Sequence, residues 1–93
     1  MRYYLIAGEA SGDIYGSQLI SEIQILDPNS KIRFWGGDLM KSKSNNLVKH
    51  YKDTSVMGFF EVLKHIFKIL RNIDYCKNDI IEFKPDRIIY IDY

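Results

Sequence analysis

The chain has 93 residues, 46% of them hydrophobic, enough for one small domain with a core or for part of a larger one. Its 13 Lys and Arg against 12 Asp and Glu leave a formal charge of +1, without the basic excess expected of a nucleic-acid binder. A single cysteine, Cys76, excludes an intrachain disulfide; His50 and His65 form no HExxH or Cys/His zinc spacing, and no run of 18 apolar residues is present to span a bilayer.

RYYLIA at 2–7 is a compact apolar run closed by Gly8, as expected of a strand buried on both faces. It is too short for a secretory signal and runs straight into charge. From Asp13 to Leu26 the pattern becomes helical, with Tyr15, Leu19, Ile20, Ile23 and Leu26 on one side. DPNS at 27–30 stops that helix, because Pro28 disfavours a helical residue before it and Asp, Asn and Ser favour turns. KIRFWG at 31–36 is a second strand, closed by Gly36 and Gly37, and LVKHY at 47–51 a short third one. Residues 58–83 read as one long helix, or as two with a break near Asn72–Asp74. Pro85 ends this stretch, and DRIIYIDY at 86–93 is a fourth strand. Such alternation predicts an α/β fold, a Rossmann-like parallel sheet with flanking helices. No helix follows the last strand to cover it, so the expectation is the front part of a longer protein.

The stretch AGEASGD at 7–13 lies where the first strand turns into the first helix. Glycines at such a turn let a ligand approach the backbone, and a helix start offers free N–H groups and partial positive charge. Gly8, Gly12 and Gly16 are spaced by four, which is neither GxGxxG nor a Walker loop. Asp38 could stand in for the ribose-binding acid after the second strand, although it lies later than the usual spacing. Glu9 and Asp13 put two carboxylates beside the presumed pocket. Two like charges 4 Å apart repel by roughly 4 kcal/mol at an effective dielectric of 20. A sugar suits such a turn better than a bare phosphate, since carboxylates and Ser11 bond hydroxyls and a carboxylate beside an attacking hydroxyl is a general base. The plain alternative is that Asp13 favours its own helix start and that Gly16 is small to let the helix pack on the first strand.

FFEVLKHIFKILRNI at 59–73 divides into two faces at about 100° per residue. Phe59, Phe60, Val62, Leu63, Ile66, Phe67, Ile69, Leu70 and Ile73 fill one half; Glu61, Lys64, His65, Lys68, Arg71 and Asn72 fill the other. A wide apolar face edged by Lys and Arg describes an interfacial membrane helix, and equally a helix that covers a sheet.

AGEASGDIYGSQLI at 7–20, GGDLM at 36–40, SVMGFFEVL at 55–63 and KPDRIIYID at 84–92 occur in that order. Together they resemble the N-terminal end of the lipid-A-disaccharide synthase family, over nearly the whole chain but only the opening part of the family's length. One departure is KSKSNNL at 41–47, where the family tends to carry a glycine. The resemblance implies a GT-B glycosyltransferase in which two Rossmann-like domains face across a cleft. Residues 1–93 would be the N-terminal part of the acceptor-side domain, and the C-terminal UDP-binding domain is not among them. The implied reaction moves 2,3-diacylglucosamine from UDP to the 6-hydroxyl of 2,3-diacylglucosamine 1-phosphate, at the cytoplasmic face of the inner membrane of a Gram-negative bacterium, with inversion and no cofactor or metal. In that setting Gly8, Glu9, Ser11, Gly12 and Asp13 are expected to bind substrate, and Glu9, Asp13 and Asp92 are the candidate bases. Phe59, Phe60, Leu63, Lys64, Ile66, Phe67, Lys68 and Leu70 would touch membrane or acyl chains. These 93 residues alone would hold half a cleft and be inactive. The alternative is a Rossmann-like module that binds a phosphosugar or nucleotide without catalysis.

Overall fold

The computed structural model describes the backbone of residues 1–54 and 59–91, with side chains for residues 1–52 and 70–91. In chain order the elements are β1 (Arg2–Ala7), α1 (Ala10–Leu26), β2 (Lys31–Gly36), α2 (Asp38–Lys41), β3 (Leu47–His50), α3 (Tyr51–Thr54), α4 (Phe59–Phe83) and β4 (Arg87–Ile91). The four strands form one sheet in the order β3-β2-β1-β4, and every pair is parallel. This is a doubly wound, Rossmann-like arrangement. The path steps outward from β1 to β2 to β3 and then crosses back to lay β4 on the other side of β1. The order therefore reverses between β1 and β4. At such a switch point the crevice outside the carboxyl ends of the strands is open to a ligand.

Alternation along the strands sends their side chains to two different environments. Leu5 and Ala7 of β1 and Ile32 and Phe34 of β2 face α1, where they form the apolar core with Ile20, Ile23 and Met40. Tyr4, Arg33 and Trp35 point to the opposite face and meet α4 there. That second interface is polar. The Trp35 Nε1–H donates to the Tyr4 hydroxyl at 2.7 Å, and the Tyr4 hydroxyl donates to Asp79 Oδ2 at 2.7 Å. Arg33 grips the same carboxylate through Nε and Nη2, both at 2.6 Å. Burial, then the Asp79 hydrogen bond, drives the Tyr4 hydroxyl far above the usual phenol range, so it acts as a fixed donor. At the end of α4, Arg2 Nε and Nη2 donate to the Phe83 carbonyl at 2.9 and 2.7 Å, and the guanidinium lies over the Phe83 ring.

Several expected boundaries move. The first helix begins at Ala10 instead of Asp13, because Ala, Ser and Gly carry no apolar period to reveal its first turn. Residues 59–83 form one unbroken helix, which overturns the two-helix alternative: Asn72–Asp74 continue it. Lys84, at φ 54°, then closes α4 in the left-handed conformation, its N–H bonding the Ile80 carbonyl at 3.0 Å. The short helices α2 and α3 span only 4 residues each, too few to leave a sequence period.

Gly16 is small for a reason other than contact with β1. A Cβ there would lie 2.5 Å from Met40 Sδ and 2.9 Å from its Cε. Gly36 faces the same thioether from β2, so Met40 is a knob set between two glycines. Since Met40 is fully buried, it cannot swing into solvent. Over-packing costs about 1–3 kcal/mol, against the 0.5–1 kcal/mol, roughly, that alanine returns in a helix. Gly16→Ala is therefore expected to lower the thermal midpoint; an unchanged midpoint would mean that Met40 has room to retreat.

Candidate functional site

The candidate ligand edge is built from the ends of β1 and β4. Ala7 pairs with Ile91, so the two strands finish side by side. After Ala7 the chain turns through Gly8 and Glu9 only. Glu9 has extended backbone (φ −142°, ψ 166°) and is the N-cap of α1, but its side chain makes no capping bond. The first helical bond runs from the Asp13 N–H to the Glu9 carbonyl at 3.0 Å. The N–H groups of Ala10, Ser11 and Gly12 precede the helical ladder and have no intrahelical acceptor. Gly8 and Glu9 are exposed and Ser11 is half-buried. Gly12 lies underneath: a Cβ there would sit 3.2 Å from the Ala7 Cβ and 3.6 Å from Ile91 Cγ2. Its role is close approach of the helix to the crevice between β1 and β4.

Asp13 is placed differently from Glu9. It is buried, 4% exposed, and its carboxylate turns away from the β1 edge toward α2. Oδ1 accepts the N–H groups of Gly37 and Met40 at 2.8 and 3.0 Å, and Oδ2 accepts that of Leu39 at 3.0 Å. Asp13 thus caps a helix, but α2 rather than its own. Gly37 is required to make room: a Cβ would come 2.6 Å from both Asp13 Oδ2 and Tyr51 Cε2. With one carboxylate turned inward and satisfied by amides, the mutual repulsion inferred from the sequence no longer bears on the edge. What the turn presents outward is one carboxylate, Glu9, beside amides that have no intrahelical acceptor.

At the neighbouring strand ends, Asp38 of α2 and His50 of β3 meet, Nε2 to Oδ1, at 3.2 Å, and the Lys52 N–H donates to His50 Nδ1 at 3.2 Å. This pair lies beside β2 and β3, away from the switch point. The sequence weighed Asp38 alone and did not connect it with His50. Asp92 follows the last described residue of β4 and lies outside the described residues. Among the described residues, no three His, Cys, Asp or Glu side chains gather as a metal site.

Of the expected membrane-facing residues, the side chains of Phe59, Phe60, Leu63, Lys64, Ile66, Phe67 and Lys68 lie outside the described ones; their backbone belongs to α4. Leu70 and Ile73, the described members of the same apolar face, are 53% and 58% exposed. They point away from the sheet, which α4 meets through Asp79 and Phe83. Ile81, two to three turns further on, is exposed as well. Among the described residues no helix is long and apolar enough to cross a membrane.

A cleft of about 250 Å³ lined by Arg2, Arg33, Asp79, Glu82 and Phe83 opens under the end of α4. Its arginines are committed to Phe83 and Asp79, so it is the seam of a helix docking.

The sequence profile described as Lipid-A-disaccharide synthetase matches residues 3–93. The chain is 41% identical over 92 residues to a lipid-A-disaccharide synthase of Chlamydia pneumoniae, covering 97% of this chain and 15% of that protein. With the protein of the same description from Rickettsia bellii the identity is 41% over 92 residues, covering 98% and 24%. With that from Xanthomonas oryzae pv. oryzae it is 37% over 91 residues, covering 98% and 21%. The chain thus spans a quarter or less of the length of these relatives. No solved structure gave a significant match.

Proposed function

The chain belongs to the lipid-A-disaccharide synthetase family, and from that premise we propose that the protein takes part in lipid A biosynthesis as a glycosyltransferase. It transfers 2,3-diacylglucosamine from UDP to the 6-hydroxyl of 2,3-diacylglucosamine 1-phosphate. The bond from the anomeric carbon to the UDP oxygen breaks, the bond from that carbon to the acceptor oxygen forms, and the hydroxyl proton passes to a base. UDP leaves with the electron pair. Residues 1–93 supply part of the acceptor-side domain of a GT-B fold, a nucleotide-binding domain completes the cleft, and these 93 residues alone are inactive.

The observation that carries this reading is the exposed Gly8–Glu9 turn at the switch point of a family-matched chain. Glu9 has an extended approach, no capping bond and a position at the end of β1, so it is the group we assign to the attacking hydroxyl. Gly8 and Ser11 line the same turn. Gly12 and Asp13 support it from beneath, and Asp92 stands as the further acid beyond β4. Incubating the product of the whole reading frame with both sugars tests the reaction: it should release UDP and form the tetraacyl disaccharide 1-phosphate. UDP release without disaccharide would contradict it.

The lipid substrates call for a surface location, at the cytoplasmic face of an inner membrane. Leu70 and Ile73 are exposed on α4, and the sequence pattern extends their apolar face back to Phe59 with Lys64 and Lys68 at its border, a composition that suits that contact. Burying one such aliphatic side chain in hydrocarbon contributes about 1.5–3 kcal/mol. Replacing Leu70 and Ile73 together with Glu should therefore weaken binding to anionic phospholipid vesicles at least tenfold, roughly, in a flotation assay. Unchanged flotation would mean that protein, not lipid, covers this face.

A further inference from the structure

We propose that Asp13 is a positioning residue that joins the turn after β1 to the turn after β2 and touches no substrate. The inference rests on the glycosyltransferase reading of this edge and goes beyond it by separating the tasks of two neighbouring acids.

A carboxylate has about four lone-pair sites. Three of those on Asp13 are taken by the N–H groups of Gly37, Leu39 and Met40. Its surroundings close over it: Gly37 is so near that no side chain fits there, and the Tyr51 ring borders the same space. A base must reach the hydroxyl it deprotonates, and a carboxylate 4% exposed and satisfied by three amides does not reach the cleft. What it does reach is the start of α2. The outer side of α2 is tied in turn to the end of β3 through Asp38 and His50. The ends of β1, β2 and β3 are thus linked in series at the ligand edge, with Asp13 as the buried member of the chain. Charge-assisted bonds of this kind are roughly twice as strong as neutral ones. Glu9 lies one helical turn before Asp13, joined to it by the backbone bond from the Asp13 N–H to the Glu9 carbonyl. Any shift of α1 relative to α2 therefore moves Glu9.

Asp13→Asn tests this in the product of the whole reading frame, because the amide keeps the size but turns an NH2 group toward an N–H donor. Amide exchange at Gly37, Leu39 and Met40 should quicken by about tenfold or more, as expected for loss of a bond to a charged group. The thermal midpoint should fall. For the molecules that remain folded, kcat/KM for disaccharide formation should fall by roughly 10–100-fold, the scale of a 1 Å misplacement, with KM for one sugar raised and the limbs of the pH–rate profile where the wild type has them. Loss of a pH limb with the midpoint unchanged would overturn the proposal, making Asp13 the base. Unchanged KM and kcat per folded molecule would overturn it in the other direction, leaving a purely structural bond. Absence of product from the wild type would overturn the glycosyltransferase reading and the positioning role with it, whereas the exchange experiment would still report whether Asp13 holds α2.

Discussion

Asp79→Ala is expected to destabilise the fold by about 2–4 kcal/mol, slightly less than the 3–5 kcal/mol typical of breaking a fully buried ion pair, because Arg33 is partly screened by water. The substitution removes three hydrogen bonds at once, two from Arg33 and one from Tyr4. Tyr4 is fully buried, so its hydroxyl proton would lose its carboxylate acceptor, a loss of about 1–3 kcal/mol by itself. Since a domain of this size is stable by roughly 5–15 kcal/mol in total, the change should show plainly in urea or thermal unfolding. A double-mutant cycle with Arg33→Ala should show the two side chains coupled. Additive losses would mean that Asp79 acts through Tyr4 alone.

The same carboxylate gives the fold an acid dependence of known sign. Burial pushes the Asp79 carboxyl up, but the Arg33 and Tyr4 hydrogen bonds together outweigh it and hold the group below the usual carboxylate range. A group whose value is lower folded than unfolded adds stability that is complete above the unfolded value, about 4, and is lost as pH falls through the folded one. Wild type should therefore lose stability below about pH 4 more steeply than Asp79→Ala.

The strands and the C-terminal ends of the long helices were legible in the sequence because each has a local signal. RYYLIA and KIRFWG match β1 and β2 residue for residue, and DPNS stops α1 where Leu26 ends it. The parallel sheet followed from the order of these elements. What escaped was non-local. The partners of Asp13 lie 24 to 27 residues away, and Asp79 meets Arg33 across 46 residues and Tyr4 across 75. One hint was present: Arg33 falls in a strand to be covered on both faces, and a charge there needs a counter-charge. The apolar face of 59–73 read equally as core and as membrane contact. Its described members, Leu70 and Ile73, are exposed. The turn itself was found in sequence, but its two acids looked equivalent. The fold makes them unlike, one exposed at the crevice and one consumed by α2.

Glu9 makes no capping bond and carries no fold contact among the described residues that its carboxylate must keep. Glu9→Gln should therefore leave the thermal midpoint near that of wild type. General-base assistance contributes about 10²–10⁴-fold, so removal of the carboxylate should lower the rate by at least about 100-fold, since the glutamine amide cannot accept the hydroxyl proton. The assay is disaccharide formation from UDP-2,3-diacylglucosamine and 2,3-diacylglucosamine 1-phosphate, run on wild type and Glu9→Gln side by side. Product from the wild type with a drop of that size in the variant is the predicted result. A Glu9→Gln protein that makes disaccharide at the wild-type rate would contradict the assignment of this turn to the reacting hydroxyl.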